Sequence, residues 1–112
     1  MDTSLLRLLL EPYISLNETC ALISIKPQYL KEIFAGRKLY EYRKRLFNQK
    51  VDKVVMYATS PEAKIVGYFT PGQIFCGTPQ SIWEKTHLQS GISQQDYISY
   101  CNNANKIIAM SI

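Results

Sequence analysis

Residues 20–43 read CALISIKPQYLKEIFAGRKLYEYR, and three different periodicities meet in this stretch. Cys20–Ile25 is apolar with a β-branched bias, the composition of a strand. Lys26-Pro27 then opens a helix, because proline is tolerated at the first helical position, where its missing N–H has no helical partner anyway. Leu30, Ile33 and Phe34 fall on one helical face, and Gly36 supplies the expected stop, so the helix spans about 27–35. From Lys38 to Arg43 the pattern changes to alternation. Tyr40 and Tyr42 share one face, while Leu39, Glu41 and Arg43 share the other.

Downstream of this β-α-β start, Val51–Ala58 is apolar on both faces and predicts a central strand, closed by Thr59-Ser60-Pro61. Ile65–Phe69 predicts another strand, with Gly67 marking a bulge or a close backbone approach. Thr70-Pro71-Gly72 is turn chemistry, after which Ile74 and Phe75 resume pairing. Thr78-Pro79 opens a helix carrying Ile82, Trp83 and Thr86. Ser93 and Asp96 are spaced as a capping box for a helix through about Cys101, broken by Asn102, Asn103 and Asn105. Lys106–Ile112 is a last strand, with Ile108, Met110 and Ile112 facing one way. Upstream, residues 4–12 predict a short helix ended by Pro12. The order α-β-α-β-β-β-α-α-β predicts an α+β domain on a small, strongly curved mixed sheet or barrel; the βα alternation of a doubly wound sheet is not sustained.

A chain of 112 residues has room for one domain, and 46% apolar with 20% charged residues excludes wholesale disorder. No apolar run approaches the roughly 18 residues of a membrane span. The leucines at positions 5, 6, 8, 9 and 10 are interrupted by Arg7 and lack a small-residue cleavage site, so no signal peptide is expected and the chain is cytoplasmic by default. Cys20, Cys76 and Cys101 are odd in number and widely spaced. That excludes a disulfide framework and a CxxC knuckle, and neither a metal nor a cofactor is expected.

The net charge is +4, but nine of the thirteen lysines and arginines lie within residues 21–53. A basic segment points either to an anionic partner, nucleic acid or phosphate, or to a well-solvated surface hairpin. Inside that segment Glu41 and Arg43 project from one strand face. On an exposed face they form an ordinary ion pair worth about 0–1 kcal/mol. In a cleft, Arg43 offers a bidentate fork to phosphate or carboxylate, and Glu41 can orient it or act as a base. Strict alternation sets Lys38 on the opposite face, with Tyr40 and Tyr42, unless the turn after Gly36 redirects it.

Gly36-x-Lys38-x-x-Glu41-x-Arg43 is the signature of the ASCH domain, a member of the PUA-like superfamily, and the sequence resembles that family over about residues 21–112. ISIKPQYLKEIFAGRKLYEYRKRLF, VVMYATSP, IVGYF, IWEKT and GIS follow one another as in a subgroup of small stand-alone bacterial and archaeal proteins. The resemblance implies a PUA-like small mixed β-barrel flanked by helices over residues 20–112; it does not cover residues 1–19, which the pattern above makes an N-terminal helical extension. It implies a cleft lined by the motif, which takes RNA or a nucleotide, and in some members a role in transcriptional regulation. One branch instead hydrolyses N4-acylated cytidine with a lysine, a threonine three residues later and a downstream glutamate. Lys38 matches that lysine and Glu84 is the candidate glutamate. Glu41 stands where the threonine would be, which removes the hydroxyl nucleophile.

Beside the motif, Lys26 sits at a helix start that can hold an anion, or is simply solvated. Thr59 and Ser60 end the buried strand as ligand contacts or as turn formers. Trp83, like the Tyr40/Tyr42 pair, is either core or a stacking platform, and His87 is incidental. Three functions remain open. In the first, an RNA- or nucleotide-binding cleft uses Lys26, Lys38, Glu41, Arg43, Lys44, Arg45, Thr59 and Ser60. In the second, a small metal-independent hydrolase acts on N4-acylcytidine or single-stranded RNA through Lys38, Glu41 and Glu84. In the third, a regulatory protein docks a partner on the basic face.

Overall fold

The computed structural model describes Ile14 and residues 17–112. The helix expected at 4–12, and most of the extension 1–19, lie outside the described residues. Among the described residues, six strands form two three-stranded sheets. In the first, β1 (Cys20–Ile25), β3 (Lys53–Ala58) and β4 (Lys64–Phe69) lie in the order β1-β3-β4. The second holds β2 (Tyr40–Arg43), β5 (Ile74–Gly77) and β6 (Ile107–Ser111), in the order β2-β6-β5. The described residues also hold three helices, α1 (Pro27–Phe34), α2 (Pro79–Thr86) and α3 (Gln94–Cys101), and a 3-10 turn at His87–Gln89.

Local signals place the helix ends. Pro27 occupies the first turn of α1, and Gly36 (φ +77°) follows its last turn in the left-handed conformation that favours glycine. The Thr78 hydroxyl accepts from the Ser81 N–H at 3.1 Å, and the Ser93 hydroxyl from the Asp96 N–H at 3.1 Å. Each satisfies an orphan donor at the start of its helix.

β1 pairs in parallel with β3, and all other strand pairs are antiparallel. β3 is central, with Val54, Val55, Met56 and Ala58 buried. The β3–β4 register shifts between Met56 and Tyr57, so Val66 is the extra residue beside Gly67. β6 is buried on both faces. Met110 packs with Ile23, Val54, Met56 and Phe69 of the first sheet, while Ile107 and Ala109 pack with Ile82, Tyr97 and Cys101 of α2 and α3. The molecule is therefore sheet on sheet on helices, and the alternation of one strand joins its two cores. Each large apolar side chain buried there contributes about 1.5–3 kcal/mol.

The α+β class is as expected, but the sheets do not close into one barrel. β2 is only four residues long, and Pro71, between β4 and β5, has no N–H to carry a ladder across the sheet boundary. No helix among the described residues is long and apolar enough to cross a membrane.

Candidate nucleic-acid interface

The carbonyl ends of β1 and β2 and the sides of α1 and α3 enclose a cleft of about 450 Å³, lined by Lys26, Tyr29, Glu41, Arg43, Asp96 and Tyr100 among others. β2 delivers the motif. Arg43 Nη1 lies 3.9 Å from Glu41 Oε2, so the two project together into the cleft. Arg43 is partly exposed, whereas Glu41 is only 9% exposed.

Lys38 lies just before β2 and is 3% exposed. Its Nζ donates to the Ser90 carbonyl at 2.7 Å and stands 4.9 Å from the Tyr42 ring centroid and 5.6 Å from that of Tyr29. The amine thus lies on the tyrosine side, as alternation requires, beneath the cleft rather than on its lining. Gly91 (φ +61°) packs directly on the Lys38 stem, where a Cβ would stand 2.3 Å from Lys38 Cβ. Tyr42 itself is anchored. The Thr86 hydroxyl donates to the Ile82 carbonyl at 2.7 Å, so the Tyr42 O–H donates to Thr86 Oγ1, also at 2.7 Å.

Burial sets the electrostatics. It pushes the Lys38 ammonium down to about 8, against the opposing pull of Glu41. It likewise raises the Glu41 carboxyl above the ordinary carboxylate range, although Lys38 and Arg43 both favour its charged form. Across the cleft, burial and the neighbouring Asp96 raise the Tyr29 phenol. Burial also raises that of Tyr100, with Arg43 opposing.

The other residues singled out from sequence are scattered around this centre. Lys26 lines the cleft, and Lys44 stands at its rim, with Nζ 5.2 Å from the Tyr100 ring centroid. Arg45 is exposed outside the lining. Thr59 is not on the lining, although its N–H donates at 3.0 Å to the carbonyl of Ile25, which is; Ser60 is exposed in the following turn. Glu84 lies on the exposed face of α2, accepting from Gln80 Nε2 at 3.2 Å, and does not reach the cleft. Ser90, Gly91, Thr86 and Asp96 were not singled out as site residues. The GIS segment holds Gly91 but not Ser90, and the contacts of both with Lys38 span more than fifty positions, beyond the reach of local pattern.

The ASCH domain family profile matches residues 23–110. The chain is 28% identical over 90 residues to a protein of Zymomonas mobilis named ASCH domain-containing ribonuclease, an alignment covering 80% of this chain and 61% of that protein. It is 33% identical over 91 residues to large ribosomal subunit protein uL22 of Ureaplasma parvum, covering 80% of this chain but 29% of that one. The crystal structure of ASCH from Zymomonas mobilis superposes with a TM-score of 0.76 at 26% identity, over 83% of this chain and 66% of that one. The chain thus spans less than two thirds of each of these relatives.

Proposed function

The chain belongs to the ASCH family, and on that premise we propose that its motif cleft binds single-stranded RNA and cleaves it through attack of a ribose 2′-hydroxyl on the adjacent phosphate. The observation that carries this reading is the buried Glu41, paired with Arg43 on the cleft wall and backed by buried Lys38. Glu41 keeps a carboxylate where burial costs it solvation and an apolar side chain of similar volume would pay no such cost, so its presence argues for chemistry rather than for stability.

The roles follow from position. Arg43 and Lys26 hold the phosphate, and Lys44 steers the strand toward the rim. Tyr29 and Tyr100 offer aromatic faces to flanking bases. Glu41 takes the 2′-hydroxyl proton as the oxygen attacks phosphorus and the P–O5′ bond breaks; the leaving 5′-oxygen takes a proton from water in the cleft. Arg43 offsets the charge that grows on the phosphoryl oxygens. Lys38 keeps Glu41 ionised. The products are a 2′,3′-cyclic phosphate and a 5′-hydroxyl. The name of the Zymomonas relative supports an RNA substrate. Hydrolysis of N4-acylcytidine finds less support, because Glu41 carries no hydroxyl and Glu84 lies outside the cleft.

The test compares a single-stranded RNA with the DNA of the same sequence and with N4-acetylcytidine. RNA cleavage to cyclic-phosphate ends, lost in Glu41→Gln, is expected. DNA cleaved equally well, or turnover of N4-acetylcytidine alone, would overturn the reading.

A further inference from the structure

A second cavity, about 540 Å³, lies on the other side of α3, between it and α2. No Asp, Glu, Lys, Arg or His lines it. Its aromatic wall is half-buried Trp83, backed by the buried Tyr97 ring, whose centroid lies 4.6 Å away at an interplanar angle of 33°. Around that wall stand the amides of Gln80, Gln94, Asn102 and Asn103. Gln80 is engaged with Glu84, but the side chains of Gln94, Asn102 and Asn103 have no hydrogen-bond partner among the described residues. Asn102 and Asn103 are held at φ +45° and +63° where α3 ends.

The lining selects a ligand class. Without charged groups the groove has nothing to pair with a phosphate or an acidic peptide. An aliphatic ligand would leave the amides unused. A neutral, planar group with donors and acceptors on its edge matches both the stacking wall and the amides, since Asn and Gln pair bidentately with base edges. A nucleobase is that group. Ser99 lines both this groove and the motif cleft, so the two cavities share α3 as their dividing wall, about one helix diameter or 10 Å thick.

We propose that the α2–α3 groove is a nucleobase subsite, which takes one unpaired base of a strand whose phosphate lies in the motif cleft. The link to a strand rests on the RNA reading above; the affinity of the groove for a base does not.

Trp83 is the only tryptophan of the chain, so its fluorescence reports on this groove. The experiment titrates the full chain with adenosine, cytidine, guanosine and uridine, with inorganic phosphate as control. Saturable quenching is expected for at least one nucleoside, at dissociation constants of roughly 0.1–10 mM for a ligand of that size. Gln94→Ala combined with Asn103→Gly, two exposed positions where the glycine keeps the positive φ, should weaken it at least about fivefold, the loss of one good base-edge contact. Arg43→Ala should leave nucleoside quenching unchanged. No saturable quenching by any nucleoside, quenching by phosphate alone, or quenching sensitive to Arg43→Ala but not to the groove pair would each overturn the proposal. A short RNA that is cleaved without changing Trp83 emission would overturn it and spare the RNA reading. Nucleoside binding in a chain that cleaves no RNA would spare the groove and overturn the cleft.

Discussion

A Cβ placed on Gly91 would lie 2.3 Å from Cβ of Lys38, and the neighbouring Ser90 carbonyl accepts from Lys38 Nζ at 2.7 Å. The segment before α3 therefore grips the motif lysine at both ends, at its stem and at its amine. Gly91→Ala must move one or the other, and it also strains a backbone at φ +61°. The left-handed conformation costs about 1–2 kcal/mol and overpacking about 1–3 kcal/mol, so a loss of about 2–5 kcal/mol in urea unfolding is expected, together with loss of RNA cleavage. Gly36→Ala is the control. Its φ is +77° but nothing lies within 4 Å of the added Cβ, so only about 1–2 kcal/mol should go, with the site intact. Equal effects of the two changes would contradict the grip.

The site should work within a pH window. Glu41 must be ionised to accept a proton, and burial holds its carboxyl above the ordinary carboxylate range, so the rate should rise with pH through that raised value. Lys38 must be charged to support Glu41, so the rate should fall as pH passes about 8. Cleavage rates measured with one RNA from pH 4 to 10 should trace a bell; a flat profile up to pH 10 would remove Lys38 from the account.

Stability should run against activity at the same pair. The folded pKa of Lys38 is depressed, so folding releases its proton between about 8 and its ordinary 10.5, and its share of stability grows as pH rises through that window. The folded pKa of Glu41 is raised, so its share is present at acid pH and lost as pH rises through the folded value. Replacing the pair by Lys38→Met with Glu41→Gln removes both penalties. At pH 7 the double variant should be inactive and at least as stable as the parent, by 0 to about 3 kcal/mol in chemical denaturation. Lys38→Met alone, which removes one of the two cations that favour the Glu41 carboxylate and leaves only Arg43, should be the less stable variant.

The Tyr42–Thr86 contact should matter to the fold more than to the chemistry. Thr86 is fully buried, and Thr86→Val removes the oxygen that accepts from the Tyr42 hydroxyl at 2.7 Å. A loss of about 1–3 kcal/mol is expected in thermal unfolding, with RNA affinity within about twofold of the parent.

Much of the fold was legible locally. Pro27, Gly36, Thr78 and Ser93 act on their own neighbours, and the apolar runs of β3 and β6 need no partner to be recognised. The site was legible only in outline. Alternation placed Glu41 with Arg43 and Lys38 with the tyrosines, but it carries no information on depth. That Glu41 and Lys38 are both buried follows from Ser90, Gly91 and α3, which arrive from fifty residues away. The barrel expectation failed at the sheet boundary, where a four-residue strand and Pro71 interrupt pairing. Glu84 shows the limit of a motif match across a loose segment: its i−4 neighbour Gln80 holds it on the outer face of α2.

Salt dependence should count the phosphate contacts. With Lys26, Arg43 and Lys44 on the strand, the logarithm of the binding constant should fall against the logarithm of salt with a slope of about −2, at roughly −0.7 per contact. Arg43→Ala should make the slope shallower by about 0.7, read by fluorescence anisotropy of a labelled RNA with the Glu41→Gln chain as the non-cleaving background. An unchanged slope would place the phosphate elsewhere.

The most direct measurement is single-turnover cleavage of a saturating single-stranded RNA by the parent and by Glu41→Gln, with RNA affinity measured on the same two proteins. The account predicts a rate at least about 100-fold lower for Glu41→Gln, with affinity retained within a few-fold. An unchanged rate, or a loss of rate matched by an equal loss of affinity, would contradict Glu41 as the base and with it the reading of the cleft.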